Sequence, residues 1–353
     1  MAWDVVAETL AESEYGAWSA LVTASPGGSV YSVPAYLEAL CTAGGGRFRI
    51  LAAKRGAELV GGVALYERDS RFGMFVAPRL LLYYNGIVVR RYDTQYPSEN
   101  TSRHVKILTA LEAHIGAAGY GSVNLRSRAV PDVRPFLARG WTAQPSYSYV
   151  VDLDIESAWG RVEQNLRRLI DRSGTEGLSF TDDDDFDSFY RLHSTTLGRR
   201  GAGVYLPHDA FRAFVATLLR QSLARLYHAR TADGRSVAAQ LVLLGPHAVS
   251  HTVSAGADPE FNRMGASAFL RWRSFQALAT LGYKANDLTD ATLNPVTHFK
   301  SQFGGALEVS LVLQSPQSPQ YQWGERLTNA GANARASAGT VLRKLLRREQ
   351  SAE

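Results

Sequence analysis

Near the end of the chain the stretch "THFKSQFGG", residues 297–305, sets Lys300 between Phe299 and Phe303 and closes on two glycines. An ammonium framed by apolar side chains is a fixed positive charge, able to stabilise negative charge that develops beside it. The competing reading is a cation near the end of a short helix, "PVTHFK", where it complements the dipole. Upstream, "FNRMGASAFLRW" places Asn262, Gly265 and Ser267 after a strand-like segment and at the start of a helix. Small residues feeding a helix N-terminus leave amides free to hold an anion such as a phosphate; they also suit close packing. Arg199, Arg200 and Tyr205 lie in "TTLGRRGAGVYL", where glycines permit close approach to basic side chains. Two arginines after a helix are equally ordinary dipole partners. Asp287 and Asp290 flank the strand end that leads to Lys300, and either is placed to accept a proton from an incoming amine.

Other chemistries find few residues. There is no G-x-S-x-G, no H-E-x-x-H and no Walker glycine loop. Cys41 is the only cysteine, which excludes an internal disulfide and a cysteine-based zinc site. The eight histidines are scattered, and only His247 and His251 lie close together, so no metal site is expected. A net charge of +5 and a pI near 9.3 permit a phosphate-bearing ligand without demanding one. The N-terminus carries acids where a signal peptide needs bases, and no apolar run is long enough to span a membrane. A cytoplasmic protein is the expectation.

The elements that must position these residues repeat. "FRILAAKRGAELVGGVALYE" and "RLYHARTADGRSVAAQLVLL" each read as two strands joined at a glycine, Gly56 and Gly234, 178 positions apart. "HVKILTALEAHIGAAGYGSVNL" and "ASAFLRWRSFQALATLGYKANDL" each read as an amphipathic helix, a Gly-Tyr break and a strand. Here the offset is 163, and it also carries Asn124 onto Asp287 and Phe136 onto Phe299. We read an internal duplication of an α/β unit: residues 1–150, then 151–314 as the unit that bears the chemistry. Residues 315–353 follow as a Pro-punctuated linker and a basic amphipathic helix, in which Arg335, Arg343, Lys344, Arg347 and Arg348 face only Glu349 across Ala334 to Glu349. Lys300 falls on Leu137 of the first unit, so the fold unit itself does not require it.

"SVYSVPAYLEAL", "NLRRLIDRS" followed by "EGLSF", "FYRLHSTTLGRR", "GASAFLRWRSFQALATLGYKANDLTDA" and above all "FKSQFGG" make the chain resemble the Fem family of aminoacyltransferases. These pieces run from about Ser29 to Gly305. The resemblance implies two tandem GNAT-like domains, each a mixed, mostly antiparallel sheet flanked by helices. It implies transfer of an aminoacyl group from aminoacyl-tRNA to an amine, with Phe299 and Lys300 as the pair acting at the aminoacyl ester. It also implies acceptor binding near Arg199 and Tyr205. Amine attack on an ester builds an oxyanion, for which a preorganised donor contributes roughly 3–4 kcal/mol; a neighbouring ring can hold the ammonium by cation–π attraction worth about 0.5–2 kcal/mol. Two departures bear on the acceptor: Leu40 stands where the peptidoglycan enzymes carry an anchoring lysine, and no charged heptad run provides a coiled-coil arm.

Three functions follow. The first is an aminoacyl-tRNA-dependent N-acyltransferase acting on a peptide or peptidoglycan-precursor-like amine, with no cofactor beyond its donor. The second uses acyl-CoA at the same site; the Asn262–Ser267 loop departs from the usual CoA-binding pattern, which weighs mildly against it. The third is a tandem protein that binds a small molecule without catalysis.

Overall fold

The computed structural model describes residues 3–78, 81–130 and 132–324. The first half runs β1 (Val6–Thr9), α1 (Tyr15–Ala24), α2 (Pro34–Gly44), β2 (Arg47–Arg55), β3 (Glu58–Ser70), β4 (Gly73–Val76), β5 (Ile87–Val89), α3 (Pro97–Ala117), β6 (Ser122–Ser127), α4 (Arg134–Leu137) and β7 (Thr142–Asp152). The second runs α5 (Ile155–Arg161), α6 (Gln164–Thr175), β8 (Ser179–Asp182), α7 (Phe186–Gly198) and α8 (His208–Arg220). It continues through β9 (Ala224–Arg230), β10 (Ser236–Leu243), β11 (Val249–Ala257), α9 (Ala266–Thr280), β12 (Ala285–Asp287), α10 (Pro295–Ser301) and β13 (Ala306–Gln314).

The repeat is visible element by element. The hairpins β2–β3 and β9–β10 turn at Gly56 and Gly234, both at positive φ. Helices α3 and α9 break at Gly119 and Gly282, also at positive φ, before β6 and β12. Phe136 and Phe299 lie in the short helices α4 and α10. The first half carries the extra strand β4 in the region where the sequence offset falls. The fold is therefore the mixed α/β architecture expected, while the basic C-terminal helix lies outside the described residues.

All thirteen strands form one sheet, in the order β1-β2-β3-β4-β6-β13-β7-β12-β11-β10-β9-β8 with β5 on β3. The halves exchange their last strands. Strand β7 lies against β12, with Val150 opposite Asp287, and β13 returns to pair β6, with Leu313 opposite Leu125. Between them β7 and β13 run antiparallel along their length. The closing glycines of "THFKSQFGG" allow this return. Gly304 has φ +72°, and a Cβ there would sit 2.6 Å from the Arg161 carbonyl oxygen. One hydrophobic core also spans both halves, with Tyr36 of α2 edge-on to Phe214 of α8 at 5.9 Å. Leu40, where the resemblance implies a lysine, is buried in that core.

Candidate active site

The site originates in a mismatch of strand lengths. Strand β12 pairs with β11 in parallel only over Val249–His251 and stops at Asp287, whereas β11 runs on to Ala257. Beyond that point the two chains part, and two adjoining cavities occupy the gap. One, of about 700 Å³, is lined by Asn262, Gly265 and Ser267 at the start of α9, by Arg199 and Arg200, and by Phe299. The other, of about 650 Å³, is lined by Arg200, Tyr205, Tyr83, Asp290 and Lys300. Thr196, Arg200, Ala255, Arg271 and Val296 border both.

At the first cavity, α9 begins at Gly265, which adopts φ +78° and offers no side chain to cap the first turn. A Cβ at Gly265 would meet Leu169 Cγ at 2.5 Å and Ser173 Oγ at 2.7 Å, so glycine lets α9 lie directly on α6. No side chain caps this first turn, the condition under which helix amides can hold an anion. Arg199 caps α7 and donates to the Ala257 carbonyl at 3.2 Å, which ties it to the end of β11. Arg200, one residue on, borders both cavities.

At the second cavity, α10 starts at Asn294, whose side chain accepts from the Val296 and Thr297 amides, with Pro295 in the first turn. Lys300 lies near the other end of this seven-residue helix. Its Nζ donates to the Thr289 carbonyl and, at 2.7 Å, to the Asp290 carbonyl. Both acceptors belong to residues at positive φ, +46° and +44°, in the loop after β12. Burial, reinforced by the Arg271 charge, pulls the Lys300 pKa down to about 8. The ring contact expected for the ammonium is absent: Phe299 instead packs edge-on against Phe303 at 5.2 Å and borders the other cavity. Adjacent helical positions diverge by about 100°, so Phe299 and Lys300 face different spaces and backbone carbonyls take the ring's place. Tyr205 is held by Ser254 Oγ at 2.5 Å, and burial raises its pKa.

Asp287 lines neither cavity. It is fully buried between the halves, where it accepts from Tyr84 Oη at 2.9 Å and from the Thr289 amide at 2.7 Å. His251 Nδ1 stands 3.6 Å away. Burial alone would raise the Asp287 pKa, but His251, the Arg128 charge and the Thr289 amide hold it below the usual carboxylate range. Its grip on the Thr289 amide shapes the loop whose carbonyls hold Lys300.

Arg271 was not singled out from the sequence, although the signal is there. On α9 it shares a helical face with Phe275 and Leu278, both buried, so a base falls where an apolar residue belongs. Its guanidinium makes no hydrogen bond or ion pair with any described residue, and Nη1 is buried without a partner. A group of three that could hold a metal, Asp183, Asp185 and His228, lies elsewhere and is already bridged by Arg230, 3.0 Å from Asp183 and 2.9 Å from Asp185.

Residues 160–301 match the family model of the acetyltransferase (GNAT) domain. Among solved structures the chain is similar to FemX, with a TM-score of 0.70 at 12% identity, covering 90% of this chain and 99% of that one. It is also similar to L-PGS from Bacillus licheniformis, with a TM-score of 0.55 at 14% identity over 88% of this chain and 94% of that one. A tandem GNAT protein from the clavulanic acid biosynthesis pathway gives a TM-score of 0.54 at 10% identity, over 89% and 98%. A search of the curated proteins finds no match. With one plan built twice into a single sheet and residues 160–301 matching the acetyltransferase (GNAT) domain model, the chain has the overall fold of FemX and of a tandem GNAT protein.

Proposed function

We propose that this protein is an N-acyltransferase that moves an aminoacyl group from aminoacyl-tRNA to an amine of a peptide or peptide-like acceptor. The observation that carries the reading is the position of Lys300, at the edge of the second cavity, which adjoins the first, with its ammonium preset by two carbonyls. The donor's acyl end enters along the cavity that Phe299, Gly265 and Ser267 border, and the acceptor amine approaches from the side of Tyr205 and Lys300. Attack of the amine on the ester carbonyl forms the new C–N bond and places negative charge on the carbonyl oxygen. Lys300 stabilises that oxygen with its third N–H; collapse then breaks the ester C–O bond, and the leaving ribose oxygen of the tRNA takes up the proton that the amine nitrogen gives away, directly or through water. Asp287 acts at one remove, by shaping the Thr289–Asp290 loop, since it reaches neither cavity.

An acyl-CoA donor is the second reading, favoured by the acetyltransferase family match and by the uncapped start of α9, where a pyrophosphate could rest. Incubation with radiolabelled charged tRNA and, separately, with radiolabelled acetyl-CoA decides between the two, with a dialysed cell extract supplying acceptors. Discharge of the tRNA, lost in Lys300→Met, supports the first reading. Discharge of the CoA ester alone replaces it with the second, and discharge of neither leaves a binding protein.

A further inference from the structure

The charges around the joined cavities do not balance. Arg126, Arg200, Arg271 and Lys300 all border the second cavity, and Asp290 is the only carboxylate lining either space among the described residues. None of these four cations forms an ion pair with a described residue. Arg126 lies over the Tyr83 ring at 4.3 Å, and Lys300 is spent partly on carbonyls. Arg271 has no such compensation. It is 8% exposed, without a hydrogen-bond partner, and its place is the boundary where the two cavities meet. A buried guanidinium left unpaired is destabilising, and a bound anion would remove that cost.

We infer that Arg271 is the binding residue for an oxyanion of the substrate, a carboxylate or phosphoryl group that lodges where the two cavities meet, with Arg200 as its flanking charge. The planar fork of a guanidinium suits two parallel hydrogen bonds to such a group, which a lysine cannot supply. The inference rests on the acyl-transfer reading for what the cavities hold, and it narrows the substrate: an amine acceptor, or the end of the donor, carries a negative charge close to the reacting centre. An acceptor that is a plain alkylamine does not fit this site. Arg271 also contributes to the depressed pKa of Lys300, so an anion seated on it would return Lys300 towards its charged form and ready the cation once substrate is in place.

The test is calorimetric titration of the whole chain with inorganic phosphate and, in a second arm, with N-acetylglycine as a monocarboxylate probe. Both arms run at low ionic strength, with sodium chloride as the control. One probe should bind saturably at one site, and which of the two it is names the source of the anion. Arg271→Met should weaken that binding by about tenfold or more, and Arg271→Lys, which keeps charge but loses the fork, by a smaller but measurable factor. Methionine continues the apolar face of α9, and near-ultraviolet circular dichroism checks that it folds. Binding of neither probe to the wild-type chain overturns the inference, as does unchanged affinity in Arg271→Lys, which stays decisive if Arg271→Met does not fold. Because no acyl transfer is read, the two proposals fail separately. A chain that binds the anion but discharges no donor loses only the proposed reaction, and one that discharges donor yet binds neither probe loses only the anion site.

Discussion

The sharpest prediction concerns Lys300 and the sign of its pH dependence. Two of the three N–H bonds of the ammonium go to the Thr289 and Asp290 carbonyls, leaving one for the cavity. With a pKa of about 8, roughly nine-tenths of the side chain is charged at pH 7. When it deprotonates, the two carbonyls keep the remaining hydrogens, and a lone pair replaces the donor that faced the cavity. If Lys300 stabilises an oxyanion, activity therefore falls as pH rises through about 8. If it were a general base, activity would rise over the same range. Lys300→Met should lower kcat by about 10²–10³-fold, the usual loss for one preorganised oxyanion donor. Lys300→Arg stays charged throughout, so the ratio of wild-type to Lys300→Arg rates isolates the lysine from the titration of the acceptor amine, which both share. That ratio should drop about tenfold per pH unit above the Lys300 pKa. Single-turnover discharge of the labelled donor between pH 6 and 10 measures it. A folded Lys300→Met within threefold of wild type, or a ratio that climbs through pH 8, would falsify the role assigned to this residue.

The same depressed pKa has a stability consequence. Between about 8 and its ordinary 10.5 the unfolded chain binds more protons at this position, so the Lys300 contribution makes stability rise with pH across that window. Lys300→Met should consequently be more stable than wild type at pH 7, by about 3 kcal/mol at most, read as a shift in urea midpoint. Gly265→Ala forces a Cβ onto Leu169 and Ser173 at a positive φ; it should cost about 1–3 kcal/mol and raise the KM for the donor while sparing binding in the second cavity. Asp287→Ala should lower unfolding stability by about 3–5 kcal/mol by leaving Tyr84 and the Thr289 amide without their carboxylate and His251 and Arg128 without its nearby charge, and kcat should fall with it; an unchanged urea midpoint would show that the inter-half cluster holds nothing together.

The fold was largely readable because the two halves preserve local signals in the same order, at an offset of 178 for the hairpins and 163 for the elements after them. Glycines that terminate α3 and α9, and the hairpin turns at Gly56 and Gly234, are demanded by backbone conformation and survive divergence of the side chains around them. The site was readable in part for the same reason. Asn262, Gly265 and Ser267 do gather at one cavity, and Tyr205 and Lys300 at the other, with Arg200 on both. What stayed hidden depends on pairing over long distances. The exchange of β7 and β13 is set by pairing between residues far apart in the chain, which no local sequence pattern records. The sealing of Asp287 follows from that exchange, since β7 covers the strand it ends. Phe299 and Lys300 read as one pair along the chain, and only the helix phase separates them.

The strand exchange also fixes the order in which this protein can be made. β6 has no antiparallel partner from β13 until residues 306–314 leave the ribosome, and β7 waits for β12 at Ala285–Asp287. The first 150 residues therefore emerge with an open sheet edge and a core lacking Phe211 and Phe214. Pairing across the exchange is complete only once β13 has been made, and such non-local contacts are slow to form. The contact of Tyr84 with Asp287 spans the two halves and waits for the second, whereas Lys300 finds its carbonyls within its own segment of chain.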